Sequence, residues 1–155
     1  MFWKYKLDTM NQNQPTERKD YKCFYPISTR WMDNDVYGHI NNVTYYSYFD
    51  TAVNQYLTSH AGFSIKDDPI VGYVVHSECT YLSGISFPDQ IEIGLRVDKL
   101  GNSSVTYALA VFRKGEANAA AYGTFVHVFV NRKEEKSVSI PKVIKAVLQE
   151  LLLFR

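Results

Sequence analysis

Acidic, imidazole and amide side chains lie close together in residues 33–42. The acids are Asp33 and Asp35, and His39 and Asn42 follow within the same short stretch. A carboxylate can attack a carbonyl carbon, or it can take a proton from the water that does so. Free N–H groups at a helix N-terminus can hold the carbonyl oxygen as it gains negative charge. The residue types therefore fit attack on a carbonyl, although Asp and Asn are equally typical of a capped turn.

This polar segment connects a predicted strand over residues 21–30 to a predicted helix over residues 43–59. In the helix, apolar side chains recur at steps of three and four residues, which is the spacing of one helical face. These side chains are Tyr45, Phe49, Ala52, Val53, Tyr56 and Leu57. Asn41 and Asn42 stand directly before the helix, and Asn is a favoured N-cap because its side-chain oxygen accepts a free backbone N–H. The polar segment is therefore expected at the helix N-terminus.

The rest of the chain is predicted to form strands and one closing helix. From residue 70 the hydrophobic period changes to two, which is typical of strands. The predicted strands are 70–82, 91–98, 103–113 and 117–131, and the closing helix is 141–153. Consecutive strands with short turns form an antiparallel sheet, and a sheet with one early helix must wrap its apolar face around that helix. We therefore expect an α+β fold. The strand over 117–131 is apolar on both faces, which predicts a second covering surface such as a partner subunit.

Composition and charge exclude several classes of function. The 155 residues carry 17 basic and 16 acidic side chains, so no field of the whole protein attracts nucleic acid. No apolar run reaches the roughly 18 residues of a membrane span. The N-terminus lacks the continuous apolar stretch of a secretory signal. We therefore expect a cytoplasmic protein with neither a nucleic-acid partner nor a membrane partner.

The chain is expected to hold one domain behind a short tail. Residues 8–20 contain a single apolar side chain, so residues 1–20 are predicted to be a loose tail and residues 21–155 a single domain. Cys23 and Cys79 are too far apart for a zinc site or a disulfide framework and are expected to be small buried residues. No pair of His, Cys or acidic residues has the spacing of a metal site, so no metal is expected.

The order of the polar residues resembles the signature of a known enzyme family. The pattern Asp-x-Asp-x-x-Gly-His-Ile-Asn-Asn-x-x-Tyr begins at Asp33, and Tyr48-Phe49-Asp50 follows it. It is similar to that of the hotdog-fold acyl-CoA thioesterases of the 4-hydroxybenzoyl-CoA thioesterase type, and the resemblance covers about residues 21–135. It implies a hotdog fold, in which an antiparallel sheet wraps around a long central helix. It also implies hydrolysis of an acyl-CoA or acyl-carrier-protein thioester, without a cofactor, by a homodimer or homotetramer that builds its site at the shared interface.

The resemblance implies a role for residues in and after the polar segment. The catalytic aspartate falls on Asp35, which attacks the thioester carbonyl or activates the water that does. The amide that polarises the carbonyl falls in the first turn of the helix, around Asn42 and Val43. Tyr46, further along the helix, is assigned to substrate binding. His39 acts as an acid, orients Asp35, or is hydrogen-bonded to local backbone.

Charged residues elsewhere receive more limited roles. Residues 132–155 hold six basic and three acidic side chains, and Arg132 and Lys133 are expected to meet the phosphates of the carrier. Asp33 is interpreted as a turn-forming residue rather than a second base. Asp50 either matches an acid that some hotdog thioesterases place on the helix, or lies in solvent or at a subunit interface. The remaining ionisable residues of the strands are interpreted as hydrogen-bonded sheet residues: His76, Glu78 and His127.

Two other functions are compatible with the same fold. One is a hotdog hydratase or dehydratase of enoyl thioesters, a branch that typically carries Asp-x-Asn-Pro-x-His. Here Asp35 is followed by Val36-Tyr37-Gly38-His39, with no Asn-Pro and a spacing one residue shorter. The other is a non-catalytic module that binds acyl thioesters, and the acid at Asp35 argues against it.

Overall fold

The computed structural model of this protein describes residues 15–152. In chain order its main elements are β1 (Cys23–Ser28), α1 (Thr44–Ala61), β2 (Ile70–Tyr81), β3 (Gln90–Leu100), β4 (Ser104–Arg113), β5 (Ala121–Asn131), β6 (Lys136–Ser137) and α2 (Lys142–Glu150). One-turn 3-10 helices at Arg18–Asp20 and Trp31–Asp33 precede β1 and α1. The polar segment of the sequence therefore spans the connection from β1 to α1.

The strands within residues 15–152 form one antiparallel sheet in the order β1-β3-β4-β5-β2, and β6 pairs with the end of β5. Strands β3, β4 and β5 follow one another through short turns, as predicted. Strand β2 does not pair with β3, the next strand along the chain. It lies beside β5 at the edge of the sheet, and residues 82–89 carry the chain to the other side. The short connection alone does not reveal this crossing, because it depends on contacts between distant parts of the chain.

Helix α1 lies in the curve of the sheet and buries one face against it. The buried side chains recur at the predicted steps of three and four residues: Tyr45, Tyr48, Phe49, Ala52, Val53, Tyr56 and Leu57. Phe49 is completely buried and meets Phe125 of β5 edge to face, with ring centres 5.7 Å apart. The expected α+β fold, an antiparallel sheet around a long helix with a second helix at the C-terminus, is confirmed. No helix within residues 15–152 is long and apolar enough to cross a membrane.

The outer face of the sheet is covered by the segment that precedes β1. The Tyr21 hydroxyl donates to the Pro15 carbonyl at 2.7 Å. The Arg18 guanidinium lies over the Phe112 ring of β4 at 4.9 Å and forms an ion pair with Glu92 of β3 at 3.1 Å. These contacts bury a cluster on the outer face that consists of Tyr21, Ala108, Ala110, Phe112, Ala119 and Tyr122.

This covering segment changes two sequence predictions. Residues 15–20 pack on the sheet and are not loose, and the other residues of the predicted tail, 1–14, lie outside the described part of the chain. The strand predicted from residue 117 begins only at Ala121. The residues just before it, such as Ala119, hydrogen-bond to the covering segment instead. Part of the outer apolar face of β5 is therefore covered by the chain itself.

Strand β2 forms an open edge of the sheet. One side of it pairs with β5, and the other side pairs with no strand of residues 15–152. Three apolar side chains near its middle, Tyr73, Val74 and Val75, are exposed by 49%, 42% and 60%. The pairing register with β5 shifts between Val74 and His76, which marks a bulge at Val75.

Candidate active site

The turn that holds Asp35 lies between β1 and α1. The Asp35 N–H donates to the His39 carbonyl at 2.8 Å, and Gly38 occupies the left-handed region with φ of 83°. One oxygen of the Asp35 carboxylate, Oδ1, accepts the Tyr37 N–H at 2.8 Å. The other oxygen, Oδ2, accepts no hydrogen bond from residues 15–152. The carboxylate is therefore held in one orientation with one oxygen left for a ligand.

Asp33 is buried, and its role is structural. Its carboxylate accepts the Tyr48 hydroxyl of α1 at 2.7 Å and pairs with the Arg30 guanidinium at 2.9 Å. Burial by itself raises the pKa of this carboxyl, but the hydrogen bonds from Tyr48 and Arg30 and the guanidinium charge outweigh it, so the pKa lies below its usual value. The Asp33 carbonyl accepts the Asn41 N–H at 2.9 Å. Asp33 therefore fastens the turn to α1.

The start of α1 presents one unengaged backbone N–H. The Asn41 side chain accepts the Val43 N–H at 3.1 Å, and the Asn41 carbonyl accepts the Thr44 N–H at 2.9 Å. The Asn42 N–H has no acceptor in the described part of the chain. The Asn42 carbonyl accepts the Tyr81 hydroxyl of β2 at 2.8 Å. Of the two amides expected to polarise a carbonyl, the Asn42 N–H is available, whereas the Val43 N–H is engaged by Asn41.

Residues 82–89, which link β2 to β3, hold the turn over residues 33–42, the active turn, from the other side. The Ile40 N–H donates to the Ile85 carbonyl at 2.7 Å. The Ser86 hydroxyl donates to the Gly38 carbonyl at 2.7 Å. The turn is thus fixed both by α1 and by the crossing chain.

His39 is exposed, and its ring lies over Gly84. A Cβ atom at residue 84 would lie 2.8 Å from the Cδ2 atom of His39, so this close approach requires glycine. The Arg113 guanidinium donates to the Gly84 carbonyl and pairs with Asp89 at 3.7 Å. Within residues 15–152 the His39 ring nitrogens form no hydrogen bond, so they are open to a ligand. Sequence reasoning missed Gly84, which meets His39 only because residues 82–89 cross beside the turn.

Tyr46 and Asp50 lie one turn apart on α1. The Tyr46 ring stacks on Phe125 with ring centres 6.1 Å apart. Burial raises the pKa of the Tyr46 hydroxyl, and the charges of Cys79 and Glu78 add to this effect. Asp50 is exposed as a residue, but the neighbouring chain partly removes its carboxyl group from water, and this raises its pKa. Tyr46 therefore packs between α1 and β5, and Asp50 lies one turn further along the helix at the surface.

Arg132 and Lys133 lie in the turn between β5 and β6, far from Asp35 of the same chain. The Arg132 guanidinium donates to the Ile65 carbonyl, just beyond the C-terminus of α1, at 2.7 Å. Asp35 instead precedes the N-terminus of α1, and the 18 residues of this helix span about 27 Å. Within one chain, the two basic residues are therefore not brought to the active turn.

The active turn and the start of α1 together present an acid and a hydrogen-bond donor. The Oδ2 atom of Asp35 can take a proton from water or attack a carbonyl carbon. The Asn42 N–H stands at the positive end of the helix dipole, where it can hold an oxygen that gains negative charge. Among residues 15–152, no three His, Cys, Asp or Glu side chains lie close enough together to hold a metal ion.

Comparison with known proteins finds a matching family and similar solved structures. A family model described as the thioesterase-like superfamily matches residues 29–148. The crystal structure of the PA5185 protein of Pseudomonas aeruginosa strain PAO1 is 52% identical in sequence with a TM-score of 0.87, over 88% of this chain and 96% of that one. Slr0204 of Synechocystis, a 1,4-dihydroxy-2-naphthoyl-CoA thioesterase, is 15% identical with a TM-score of 0.75, over 83% of this chain and 96% of that one. BH1999, a gentisyl-coenzyme A thioesterase, is 22% identical with a TM-score of 0.72, over 81% and 99%. At identities this low, the last two structures show the shared fold alone.

Proposed function

The chain belongs to the thioesterase-like superfamily, and from this premise we propose that it hydrolyses acyl-CoA thioesters to a free carboxylic acid and CoA. The observation that carries the proposal is the combination of Asp35, with its unengaged oxygen, and the unengaged Asn42 N–H. Hydrolysis of a thioester needs a group that supplies or activates the nucleophile and a donor that holds the carbonyl oxygen. The resemblance of the polar segment to the acyl-CoA thioesterase signature supports the same reaction.

The reaction can proceed in either of two ways at Asp35. As a general base, Asp35 takes a proton from water while the water oxygen attacks the thioester carbonyl carbon, and the Asn42 N–H holds the carbonyl oxygen. The carbon–sulfur bond then breaks, and the proton returns to the CoA thiolate, in this proposal through His39 at the rim of the turn. As a nucleophile, Asp35 attacks the carbon directly, CoA leaves, and water hydrolyses the mixed anhydride that remains.

We also propose that the protein is a homodimer joined along β2, or a homotetramer built from two such dimers. An edge strand exposes unpaired N–H and C=O groups with which a second chain can pair. Strand β2 contains no Lys, Arg or Pro, the residues that commonly block such pairing, and it exposes Tyr73, Val74 and Val75. Two copies of one strand can pair antiparallel about a two-fold axis, because each then presents the same surface to the other.

This arrangement gives Arg132 and Lys133 a place beside an active turn. Antiparallel pairing lays the Ile70 end of one β2 against the Tyr81 end of the other. The Tyr81 hydroxyl donates a hydrogen bond to the Asn42 carbonyl of its own active turn, and Arg132 lies beside the Ile70 end. In the proposed dimer, Arg132 and Lys133 therefore contact the CoA phosphates of the thioester at the other subunit's turn.

Release of free thiol from a panel of acyl-CoAs tests the proposed reaction. The panel covers short, medium, long and aromatic acyl groups, and a thiol reagent measures the CoA released. Saturable release with formation of the free acid supports hydrolysis. Addition of water to enoyl-CoAs without thiol release would identify a hydratase, and tight binding without either reaction would identify a binding module. Either of these results overturns the proposal. Matched acyl-carrier-protein substrates then show which carrier has the higher kcat/KM.

A further inference from the structure

Arg113, at the end of β4, binds both ends of the segment that crosses beside the active turn. Its guanidinium donates to the Gly84 carbonyl and, at 3.3 Å, to the Ser83 hydroxyl. The same guanidinium forms an ion pair with Asp89, at the far end of the segment, with a nitrogen–oxygen distance of 3.7 Å. The Arg113 side chain is only 29% exposed, so these contacts are partly shielded from competition with water. Arg113 therefore fastens residues 83–89 to the sheet.

Gly84 is the point of this segment that depends most on Arg113. The residues on either side have other anchors: the Ser83 N–H donates to the Ala120 carbonyl at 3.0 Å, and the Ile85 carbonyl accepts an N–H of the active turn at 2.7 Å. In the described part of the chain, the bond from Arg113 is the only hydrogen bond that the structure gives to Gly84. Glycine can adopt more backbone angles than any other residue. The Arg113 guanidinium therefore determines which way the Gly84 peptide group points.

The backbone of Gly84 is the surface on which the His39 ring rests. A Cβ atom at Gly84 would lie 2.8 Å from Cδ2 and 3.0 Å from Nε2 of His39. His39 is exposed, and its ring nitrogens form no hydrogen bond with the residues that the structure describes. An exposed side chain without such a bond changes rotamer within picoseconds to nanoseconds. The contact with Gly84 therefore limits the directions in which the His39 ring can point.

This direction matters for the proton that His39 handles in the proposed reaction. Water loses a proton to Asp35 as it attacks, this proton reaches His39, and His39 gives one proton to the sulfur of the leaving CoA thiolate. Both side chains return to their starting protonation states, and the carbon–sulfur bond is replaced by a carbon–oxygen bond. Proton transfer requires donor and acceptor atoms within about 2.6–3.2 Å of each other. A misplacement of about 1 Å can slow a reaction on the order of 100-fold.

We propose that Arg113 is a positioning residue for thioester hydrolysis: by fixing Gly84, it holds the His39 ring in the direction from which the ring protonates the leaving thiolate. This inference rests on the proposed function, because it assigns a further residue to the same reaction. In this arrangement Arg113 touches neither the acyl group nor the thiolate, so its contribution passes through Gly84 and His39.

The variant Arg113→Met tests this role in steady-state kinetics with an acyl-CoA. It removes the guanidinium and keeps an unbranched side chain at the same place. The kcat should fall by roughly 10- to 100-fold because His39 is misplaced, while KM should change by less than about threefold. A wild-type kcat in Arg113→Met would overturn the inference.

Arg96→Met is the matched control for the loss of a largely shielded arginine. Arg96 of β3 forms an ion pair with Asp98 at 2.8 Å and donates to the Asp20 carbonyl at 3.1 Å, so its bonds lie away from the crossing segment. Arg96→Met should lower Tm as Arg113→Met does, without lowering kcat. If Arg96→Met lowers kcat as much as Arg113→Met, the loss reflects reduced stability, and the inference is overturned.

The leaving group distinguishes positioning of His39 from general support of the fold. A nitrothiophenyl thioester of the same acyl group releases a thiolate that stays ionised at pH 7, so its departure needs no proton from His39. The loss of kcat/KM in Arg113→Met should therefore shrink to about twofold or less with this ester. An equal loss with the CoA thioester and the nitrothiophenyl thioester would overturn the inference.

Two further variants test the path through Gly84 and His39. Gly84→Ala leaves Arg113 in place and directs a methyl group at the movable His39 ring, so the protein should fold and should lose kcat as Arg113→Met does. In a His39→Gln background, adding Arg113→Met should change kcat by no more than about twofold, since residues that act through one another are not additive. A further loss of about tenfold in the double variant would overturn the inference.

The position of the His39 ring can also be measured without turnover. The chain has four histidines, and the proton–carbon NMR signals of their rings are compared in the wild type and in Arg113→Met. The His39 signal should shift, whereas the signal of His60, which stacks on Tyr56, should not. An unmoved His39 signal in a protein that hydrolyses acyl-CoAs overturns the inference alone. A shifted His39 signal in a protein that hydrolyses no thioester overturns the proposed reaction and supports the link from Arg113 to His39.

Discussion

Replacing Tyr48 with Phe removes one hydroxyl from the contact between α1 and the active turn. In the native protein this hydroxyl donates to the Asp33 carboxylate at 2.7 Å, and the two residues are only 5% and 2% exposed. A hydrogen bond between buried groups, one of them charged, contributes about 1.5–3 kcal/mol. We therefore expect Tyr48→Phe to lower the free energy of unfolding by about 2 kcal/mol, which for a chain of this size lowers Tm by roughly 4–8 °C.

The effect of Tyr48→Phe should depend on pH in a defined direction. The native pKa of Asp33 lies below its ordinary value of 3.8, so the ionised carboxylate stabilises the fold fully above that value. This stabilisation is lost as the pH falls through the lower native pKa. The variant loses the Tyr48 hydrogen bond that lowers the pKa, so its native pKa moves up. The stability difference between wild type and variant should therefore be largest near pH 7 and should shrink below about pH 4.

Urea unfolding at pH 7 and at pH 3 measures this difference. Tyr37→Phe is the matched control, because Tyr37 is 85% exposed and loss of its hydroxyl should change stability by less than about 0.5 kcal/mol. If Tyr48→Phe is as stable as the wild type at pH 7, the hydrogen bond does not anchor the turn. If the difference is as large at pH 3 as at pH 7, the stabilisation does not come from the ionised Asp33.

Three further changes test the sheet, the basic turn and the subunit contact. Gly123→Ala should destabilise the fold by about 1–3 kcal/mol in urea unfolding, because its Cβ would overlap the Glu78 carbonyl of β2. A Gly123→Ala protein as stable as the wild type would contradict the close approach of β2 and β5 at this residue. Combined Arg132→Ala and Lys133→Ala should raise KM for acyl-CoAs at low salt, and the increase should become smaller as added salt screens the charges. An unchanged KM would show that the CoA phosphates bind at other residues. Light scattering should give at least two chains per particle for the wild type and a single chain for Val75→Lys, since a charge at the open edge blocks pairing; a monomeric wild type would rule out the proposed dimer.

Local spacing predicts the helices and strands well, because it depends only on neighbouring residues. The spacing predicts the central helix over 43–59, and the helix runs over Thr44–Ala61; the strand predicted over 70–82 runs over Ile70–Tyr81. The order of strands is a different kind of property. Strand β2 pairs with β5 because residues 82–89 cross to the far side of the sheet, and that crossing is set by contacts between distant residues.

The candidate site was predictable in outline and not in its hydrogen bonds. Asp35 and the start of α1 are close in sequence, so the order of the elements is enough to bring them together. The backbone of the turn decides that Asn41, and not Asn42, accepts the Val43 N–H, while the N-cap position of the helix is Val43 and carries no side-chain cap. The hydrogen bond from Tyr48, fifteen residues further along the chain, makes Asp33 a buried anchor, which the spacing of the two acids does not reveal.

The unpartnered state of His127 has no signal in the sequence. A histidine in an alternating strand is typical of a hydrogen-bonded sheet residue. That interpretation is wrong for His127, since neither of its ring nitrogens has a hydrogen-bond partner within residues 15–152, whereas His76 lies 3.5 Å from Glu78. In the fold, the ring lies edge to face against Tyr107 of β4, with ring centres 5.1 Å apart, and against β2, where the space for it exists because residue 72 is glycine. Such an environment depends on how three separate elements pack, so it becomes visible only in three dimensions.

Turnover of Asp35→Asn tests the central claim most directly. The substitution keeps the size of the side chain but removes its charge and most of its basicity. With an acyl-CoA that the wild type hydrolyses, kcat should fall by roughly 10²–10⁴-fold, since this is what a general base typically contributes. KM should change far less, because Asp35 is not expected to hold the acyl group or the phosphates. Asp98→Asn, an exposed acid of β3, should match the wild type in the same assay. An Asp35→Asn protein that folds normally and keeps most of the wild-type kcat would contradict the assignment and direct attention to His39 or Asp50.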